Sequence, residues 1–445
     1  MNRRTLLAAA AALAATTAAS SARAQGGRTR IVFWHAMNGV LNDEVNRICA
    51  EFNGAQQAAE IVPVFKGTYA ETLTAAIAAW RANQAPHLVQ MFEVGTGSML
   101  AAGPAVKQTW QLIQDTGVAI DTNAYIPAVR GYYSLPDGRL ASMPFNSSTA
   151  VMWINKDAFD KANLDTTHPP RTWVEVAIAA KTLKEKAATP VPMTSAWFTW
   201  IQMEQFAAMH DVPYATKANG FEGLDTELQL NSPAFVKQLT RFVDMQKEGT
   251  FRYAGRDDAP NTQFFSGQTA ISFMSSGSRG DVIKNSKFNW MEAPLPYDQD
   301  LIPTPLNSVI GGASLWTMTA PGRSPEEYKG AAEFLRFIAQ PKMDATWHQR
   351  TGYVPVTTAG FEESKKEGFY NKNPGADVPI VQLSRGTVTP NSKGFRLGRM
   401  PEIRNIIYEE VEGAFQGKQD PKAALDTIVS RGNRVLREFE RSNKA

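Results

Sequence analysis

Short apolar runs alternate with segments of helical periodicity near the start of the chain. The apolar runs cover residues 31–34, 61–65 and 87–92. The first intervening segment repeats its apolar side chains at helical spacing, namely Val45, Ile48, Cys49 and Phe52. The second does so with Leu73, Ile77 and Trp80. This order predicts β-α-β-α-β, and therefore a parallel sheet with right-handed crossovers.

Polar and aromatic side chains follow each of the three predicted strands. Trp34 and His35 end the first, residues 66–69 (KGTY) follow the second, and residues 93–96 (EVGT) follow the third. Ligands of open parallel sheets bind outside the carboxyl ends of the strands, so these residues form a candidate site wall. Ordinary polar loops at these positions are the alternative.

A second unit begins near residue 151, after the run 143–149 (MPFNSST). A strand restarts at residues 151–154, and Thr172 with Glu175 has the spacing of a helix capping box. A glycine-led strand is expected at 311–316 and an amphipathic helix at the C-terminus. A chain of 445 residues is long enough for two or three domains, and these signals favour two α/β units.

The N-terminus has the pattern of a secretory signal peptide. Arg3 and Arg4 precede an apolar run at 6–15, and Ala22-Arg23-Ala24 forms a cleavage site, which predicts a leader over residues 1–24. The twin arginines leave Sec and Tat export both open. The formal net charge is +3, and loss of the three leader arginines makes it zero. A global field that would attract nucleic acid or an anionic membrane is thereby excluded.

Motifs for catalysis are missing from the sequence. It contains no H-E-x-x-H, no C-x-x-C, no G-x-S-x-G and no complete Walker loop, and its five histidines are scattered. No metal, cofactor or catalytic residue is therefore expected. Cys49 is the single cysteine, so an internal disulfide is excluded. Aromatic residues instead lie beside hydroxyls and glycines, as around Trp197 and Trp200 and at 275–278 (SSGS). Such groups suit polyol and phosphate ligands.

Taken together, these motifs resemble the extracellular solute-binding proteins of ABC importers, which are maltose-binding-like in architecture. They are most similar to the branch of that family that binds sn-glycerol-3-phosphate. The resemblance covers the mature chain in order and rests on residues 33–35, 66–69, 93–96, 144–149, 197–200, 275–278, 310–316, 347–349, 351–353 and 396–404.

The resemblance implies an α/β, periplasmic-binding-protein fold with two lobes, a ligand cleft between them and several crossovers. Lobe one is expected over residues 25–142 and about 304–355. Lobe two is expected over about 143–303 and 356–445.

The resemblance also implies a set of ligand-binding residues. They are Tyr69, Glu93, Ser148, Trp197, Ser275, Gly312, Tyr353 and Arg404. Further candidates are Trp34, His35, Ser147, Trp200 and Ser276, and the sequence departs most from the family before Trp197, so either tryptophan could stack on the ligand. Glu93 is expected to accept from glycerol hydroxyls, and Arg404 to hold the phosphate with serine and tyrosine hydroxyls.

The implied function is that of a periplasmic, monomeric receptor that is not an enzyme. It would bind sn-glycerol-3-phosphate, glycerophosphodiesters such as glycerophosphocholine, or both, and deliver them to a membrane permease. Neither a cofactor nor nucleic acid is expected as a partner. A sugar or oligosaccharide receptor is the alternative, and a secreted phosphodiesterase is a remote one.

Overall fold

A computed structural model describes residues 27–444 of the chain, so the expected signal peptide lies outside the described residues. Ten strands form two sheets. Their bounds are β1 Thr29–His35, β2 Ala59–Phe65, β3 Leu88–Phe92, β4 Val106–Lys107, β5 Met143–Ser148, β6 Ala150–Asn155, β7 Val191–Ser195, β8 Thr269–Ser275, β9 Trp290–Ala293 and β10 Gly311–Met318.

The first sheet has six strands in the order β2-β1-β3-β10-β4, with β5 also paired to β10. Strand β1 runs parallel to both β2 and β3, as the alternation predicted. The later strand β10 is antiparallel to β3, β4 and β5. The sheet is therefore mixed, and its parallel half carries the strand ends singled out in the sequence.

The second sheet has four strands in the order β7-β8-β6-β9. Strands β7 and β8 are parallel, while β6 is antiparallel to both β8 and β9. Each sheet is the centre of its own lobe, which confirms the α/β two-lobe fold. In the described residues, no helix has the length and apolar character needed to cross a membrane.

Helices cover the faces of both sheets. Those up to Tyr133, together with four later ones, belong to the first lobe: Gly39–Ala55, Tyr69–Arg81, Thr96–Ala101, Thr109–Thr116, Pro127–Tyr133, Pro325–Ile338, Pro341–Thr351, Thr358–Lys366 and Phe369–Lys372. The remainder are Lys156–Lys161, Trp173–Glu185, Gln205–Met209, Pro233–Lys247, Asn261–Phe265, Arg279–Asn285, Val378–Leu383, Met400–Phe415 and Pro421–Asn443. Residues Thr199–Glu204 form a π-helix, and Thr216–Gly220 is a turn with three left-handed residues.

The local sequence signals explain why these helices form where they do. The predicted stripe of Val45, Ile48 and Cys49 is buried against the first sheet, as helical periodicity requires. The predicted capping box is present, with Glu175 N donating to Thr172 Oγ1 at 3.2 Å and Thr172 N donating to Glu175 Oε2 at 3.0 Å. Such a cap stabilises a helix by about 1 kcal/mol.

Strand pairing and helix packing place in the first lobe two segments that were expected in the second. Strand β5 was placed in lobe two, but it pairs with β10 and so extends the first sheet to Ser148. The helix Thr358–Lys366 was also placed in lobe two, yet it packs against Pro341–Thr351, and Thr357 forms a bridge with Tyr125. Strand pairing decides the first point, helix packing and the bridge from Thr357 decide the second, and local sequence carries no signal for either.

Candidate functional site

A cavity of about 330 Å³ lies between the two sheets and is lined from both lobes. All eight residues that the resemblance implies as ligand contacts lie on its wall, from Tyr69 in the first lobe to Arg404 in the second. Elements that are far apart in sequence therefore converge on one site. Its volume falls in the range of small-molecule pockets.

The five further candidates divide into one that lines the cavity and four that do not. Trp200 lies on the wall beside Trp197. Trp34 instead packs under Lys66, whose Nζ lies 3.9 Å from the centre of its ring. His35 is buried, and burial lowers its pKa to about 4. Ser147 and Ser276 are also buried behind the wall, and Ser276 Oγ accepts from Thr149 N.

Tyr69 reaches the cavity because it begins a helix directly after β2. Thr68 and Glu71 cap this helix reciprocally, which fixes the direction of its first turn. The Tyr69 ring stacks on Phe92, with centroids 5.2 Å apart and planes 5° from parallel. The ring is thus held between two strand ends, and its hydroxyl is directed to a defined place.

Gly312 occupies a position that only glycine can take. Its φ is +92°, and a Cβ at this position would overlap the carbonyl oxygen of Asn146 on the paired strand β5. The register between β5 and β10 shifts just after this point, between Ala313 and Ser314. The backbone of β10 therefore comes to the cavity wall without a side chain in the way.

Two fully buried amides stand behind the Tyr69 hydroxyl. Asn146 Nδ2 donates to Tyr69 Oη at 3.1 Å, and Gln90 Nε2 donates to Asn146 Oδ1 at 2.8 Å. Gln90 Oε1 in turn accepts from Ala36 N at 2.8 Å. Gln90 has no signal in the sequence, because a lone polar residue inside an apolar strand has no distinctive local pattern. Asn146 lies in the 144–149 run that carries the family resemblance, but the ligand contacts implied there do not include it.

Tyr353 enters from a tight loop and meets Tyr69 at the cavity. Burial raises the pKa of Tyr353 to about 12, and its hydroxyl lies 4.0 Å from Met37 Sδ. The ring stacks on Trp347 at 5.9 Å, and the Tyr353 carbonyl is 2.6 Å from His348 Nδ1. The loop is thus held from behind by the helix Pro341–Thr351.

Arg404 is bound by two carboxylates in the interior of the site. Its Nη2 donates to Glu93 Oε1 at 2.8 Å and to Glu204 Oε2 at 2.7 Å, while Nε donates to Glu204 Oε1 at 2.8 Å. We call Glu93, Arg404 and Glu204 the carboxylate–arginine triad. Glu204 was missed, because a single glutamate in the segment after Trp200 has no distinguishing spacing.

The triad corrects the expected roles of Glu93 and Arg404 at the ligand. Glu93 and Arg404 were assigned to opposite ends of a glycerol phosphate, but they are directly hydrogen-bonded to each other. Two carboxylates face one guanidinium, so Arg404 brings no excess positive charge. Within residues 27–444, Nη1 of Arg404 has no hydrogen-bond partner, which leaves one donor edge for a ligand.

Burial shapes the protonation of this triad. It raises the pKa of Glu93 to about 7 and also raises the pKa of Glu204, although the attraction of Arg404 opposes both shifts. Burial alone would lower the pKa of Arg404, but Glu204 and Glu93 raise it well above its ordinary value. Arg404 therefore stays charged.

The second lobe contributes an aromatic wall. The backbone of Trp197 lies in a left-handed conformation (φ +42°), and its backbone N–H donates to the backbone carbonyl of Asp257 at 2.7 Å. Trp200 packs its ring on Gly311, where a Cβ would overlap the indole. Both tryptophans line the cavity, so the question of which one stacks on a ligand stays open.

The wall also carries acidic residues that the sequence did not single out. Asp257, Asp258 and Asp281 line the second-lobe side, which we call the acidic rim. Asp257 and Asp258 lie in a loop before the helix Asn261–Phe265, where local sequence offers no separate signal for either residue. Burial raises the pKa of both Asp257 and Asp281. Among the described residues that line the cavity, Arg404 is the one with a cationic side chain.

The carboxylates of the acidic rim do not form a metal centre. Over residues 27–444, no cluster of three or more histidine, cysteine, aspartate or glutamate side chains is arranged to hold an ion. The acidic rim therefore supplies negative charge to the cavity as separate carboxylates.

Comparison with known proteins identifies the chain's relatives. The sn-glycerol-3-phosphate-binding periplasmic protein UgpB of Pectobacterium atrosepticum is 46% identical over 417 residues, covering 94% of this chain and 93% of the relative. The protein of the same name from Rhizobium meliloti is 46% identical over 92% of this chain and 94% of its own. The resemblance drawn from the motifs is thereby confirmed.

Solved structures show the same fold at lower identity. The structure of UgpB from Mycobacterium tuberculosis in complex with glycerophosphocholine has a TM-score of 0.77 and 22% identity, over 93% of this chain and 99% of that one. The GacH receptor of Streptomyces glaucescens, solved unliganded and with acarbose, has a TM-score of 0.77 and 14% identity, over 93% and 100%. A family model described as bacterial extracellular solute-binding protein matches residues 47–376. With most of its length matched and a two-lobe fold around one cavity, the chain belongs to the bacterial extracellular solute-binding proteins.

Proposed function

We propose that this protein is the periplasmic receptor of an ABC importer and that it binds glycerophosphodiesters with a cationic head group, such as glycerophosphocholine. Relatives at 46% identity are named as sn-glycerol-3-phosphate-binding proteins, which supports a glycerol phosphate core in the ligand. We expect the leader to be cleaved after Ala24, and the mature protein to act as a monomer without catalysis.

The charge of the cavity wall carries the choice of ligand. Five carboxylates line it (Glu71, Glu93, Asp257, Asp258 and Asp281), and the one lining arginine is already bound by two glutamates. A phosphate monoester adds nearly two negative charges to this wall. A diester carries one, and a cationic head group cancels it. Repulsion therefore disfavours the monoester relative to a zwitterionic diester.

The acidic rim is suited to the head group. The backbone N–H of Trp197 donates to the backbone carbonyl of Asp257, and both residues line the second-lobe side of the cavity. An aromatic face beside a carboxylate attracts a quaternary ammonium through cation–π and Coulombic interactions. The glycerol end would then meet Glu93, which can accept from its hydroxyls.

Ligand contacts from both lobes would let a permease distinguish the ligand-bound receptor from the ligand-free one. Ser148 and Gly312 lie on first-sheet strands, and Ser275 ends a strand of the second sheet. A ligand that touches both favours the closed arrangement, as in hinge closure of periplasmic binding proteins. The permease would recognise that arrangement and receive the ligand.

Calorimetry on the mature protein tests the proposal. The panel is glycerophosphocholine, glycerophosphoglycerol, sn-glycerol-3-phosphate and maltose, and we expect glycerophosphocholine to bind most tightly. Glycerophosphoglycerol separates the diester from the cationic charge. Tightest binding of maltose would establish the sugar receptor instead, and release of glycerol or choline during the titration would establish a hydrolase.

A charge variant sharpens the assignment of the head group. Asp257→Asn should weaken glycerophosphocholine binding by about three- to tenfold while leaving or improving binding of sn-glycerol-3-phosphate. Asp300→Asn makes the same charge change at an exposed position outside the cavity lining and is the matched control. Equal weakening of both ligands by Asp257→Asn would contradict the head-group assignment.

A further inference from the structure

We propose that Gln90 and Asn146 are positioning residues that make the Tyr69 hydroxyl a hydrogen donor toward the ligand. This inference rests on the proposed function for the identity of the ligand. Neither amide lines the cavity, and both are fully buried. They act through the Tyr69 hydroxyl.

The direction of the hydrogen bonds follows from one unambiguous group. A backbone N–H can only donate, so Ala36 N fixes Oε1 as the acceptor side of the Gln90 amide. Gln90 Nε2 must then be the group that faces Asn146, and it fixes Oδ1 as the acceptor of that amide. Asn146 Nδ2 is left to face Tyr69 Oη, where it donates.

The consequence appears at the cavity wall. Because Asn146 fills an acceptor site on Tyr69 Oη, the phenol keeps its own hydrogen to donate. Tyr353 Oη instead lies 4.0 Å from Met37 Sδ, which accepts its hydrogen, so the free hydrogen on this part of the wall belongs to Tyr69. Tyr69 therefore has a hydrogen for the cavity. This end of the site suits an oxygen that only accepts, such as a phosphate oxygen.

The chain of amides also explains how neutral groups can serve a phosphate here. The triad brings no positive charge in excess, so donors rather than cations must hold the anion. A buried network with every member satisfied holds its donors in one orientation. Glu93 lies on the same cavity wall and accepts when ionised, so the ligand meets a donor at Tyr69 and an acceptor at Glu93.

We call the chain of hydrogen bonds from Ala36 N through Gln90 and Asn146 to Tyr69 the relay. The variant Gln90→Glu tests the relay by reversing the direction of its hydrogen bonds. A carboxylate still accepts from Ala36 N, but it now presents an acceptor to Asn146, whose amide must turn and present Oδ1 to Tyr69. The phenol hydrogen is then drawn inward. We expect affinity for the diester to fall by about tenfold or more, measured by calorimetry.

The same change in a Tyr69→Phe background separates positioning from a structural effect. Without the Tyr69 hydroxyl the relay no longer reaches the ligand, so Gln90→Glu should change the affinity of the Tyr69→Phe protein by less than about twofold. An added charge or a disturbed core would weaken binding equally in both backgrounds. Equal weakening would therefore overturn the proposal.

A measurement on the ligand-free protein keeps the test independent of the ligand and of the buried charge. In protein with 15N-labelled side-chain amides, Tyr69→Phe should move the Asn146 NH2 proton resonance upfield, because its acceptor is lost. An unchanged Asn146 resonance would overturn the relay. Should no glycerol phosphate bind at all, the proposed function fails while this result still decides the relay.

Discussion

Two buried arginines of the second lobe differ in the number of carboxylates that bind them. Arg279 pairs with Glu292 and lies over the Trp290 ring, with its guanidinium 5.0 Å from the ring centre. Arg404 pairs with both Glu93 and Glu204. All of these side chains are at most 6% exposed, so desolvation is similar and charge balance distinguishes the two groups.

The difference shows how a buried charge can serve structure in one place and a ligand in another. The Arg279 pair is neutral and lies within one lobe, where it can contribute only to packing and orientation. The triad carries an extra negative charge and joins a glutamate of the first lobe to an arginine of the second. It therefore responds to any charge that enters the cavity and to any change in the lobe arrangement.

Removing each arginine gives the largest expected effect. Arg404→Met and Arg279→Met should each lower the free energy of unfolding by about 3–5 kcal/mol, because carboxylates are left buried without a counterion. Only Arg404→Met should also weaken ligand binding, by at least about 30-fold. Urea unfolding and calorimetry on the folded fraction measure the two quantities. An equal loss of affinity in Arg279→Met would contradict the conclusion that only Arg404 acts on the ligand.

Removing one carboxylate from each group gives a smaller, ligand-dependent effect. Glu204→Gln makes the triad neutral without touching the cavity wall, so sn-glycerol-3-phosphate should gain affinity relative to glycerophosphocholine by about tenfold. Glu292→Gln removes the same charge from the Arg279 pair and should leave this ratio unchanged. The assigned difference in charge between the two groups is contradicted if the ratio of the two ligand affinities is the same in both variants or if Glu204→Gln favours the diester.

The pH dependence of stability gives the smallest effect, and in the ligand-free protein the contributions of Glu93 and Glu292 should be alike. Burial raises the pKa of Glu93 and of Glu292 to about 7 in the folded protein, against about 4.3 when unfolded. Between these values the folded state binds more protons, so each glutamate makes stability fall as pH rises from about 4.3 to 7.

The glutamine variants measure this slope. Glu93→Gln and Glu292→Gln should each flatten the pH dependence of the unfolding free energy over pH 5–7, by at most about 1.4 kcal/mol per pH unit. With saturating glycerophosphocholine, the contribution of Glu93 should shrink because the glycerol hydroxyls stabilise its carboxylate, while that of Glu292 should stay. A slope unchanged by either substitution would contradict the assigned pKa shifts.

Much of the site could be predicted because its wall is made of strand ends and recognisable motifs. Tyr69 and Glu93 follow strands that periodicity identifies, and the eight residues implied by the family resemblance all meet at one cavity. Their contact with a ligand stays a prediction. Gln90 and Glu204 could not be found in this way, because a polar residue inside a strand or helix has a role only through partners that are remote in sequence.

The sequence by itself determined the local elements and the lobes they build. Capping residues and apolar spacing act over a few neighbours, so β1, the helix Gly39–Ala55 and the capping box at Thr172 follow from short segments. Tertiary structure alone decided that β5 joins the first sheet and that Arg404 binds Glu93, a residue 311 positions earlier. The pairing of buried charges depends on which groups folding removes from water together, and that juxtaposition exists only once both lobes have formed.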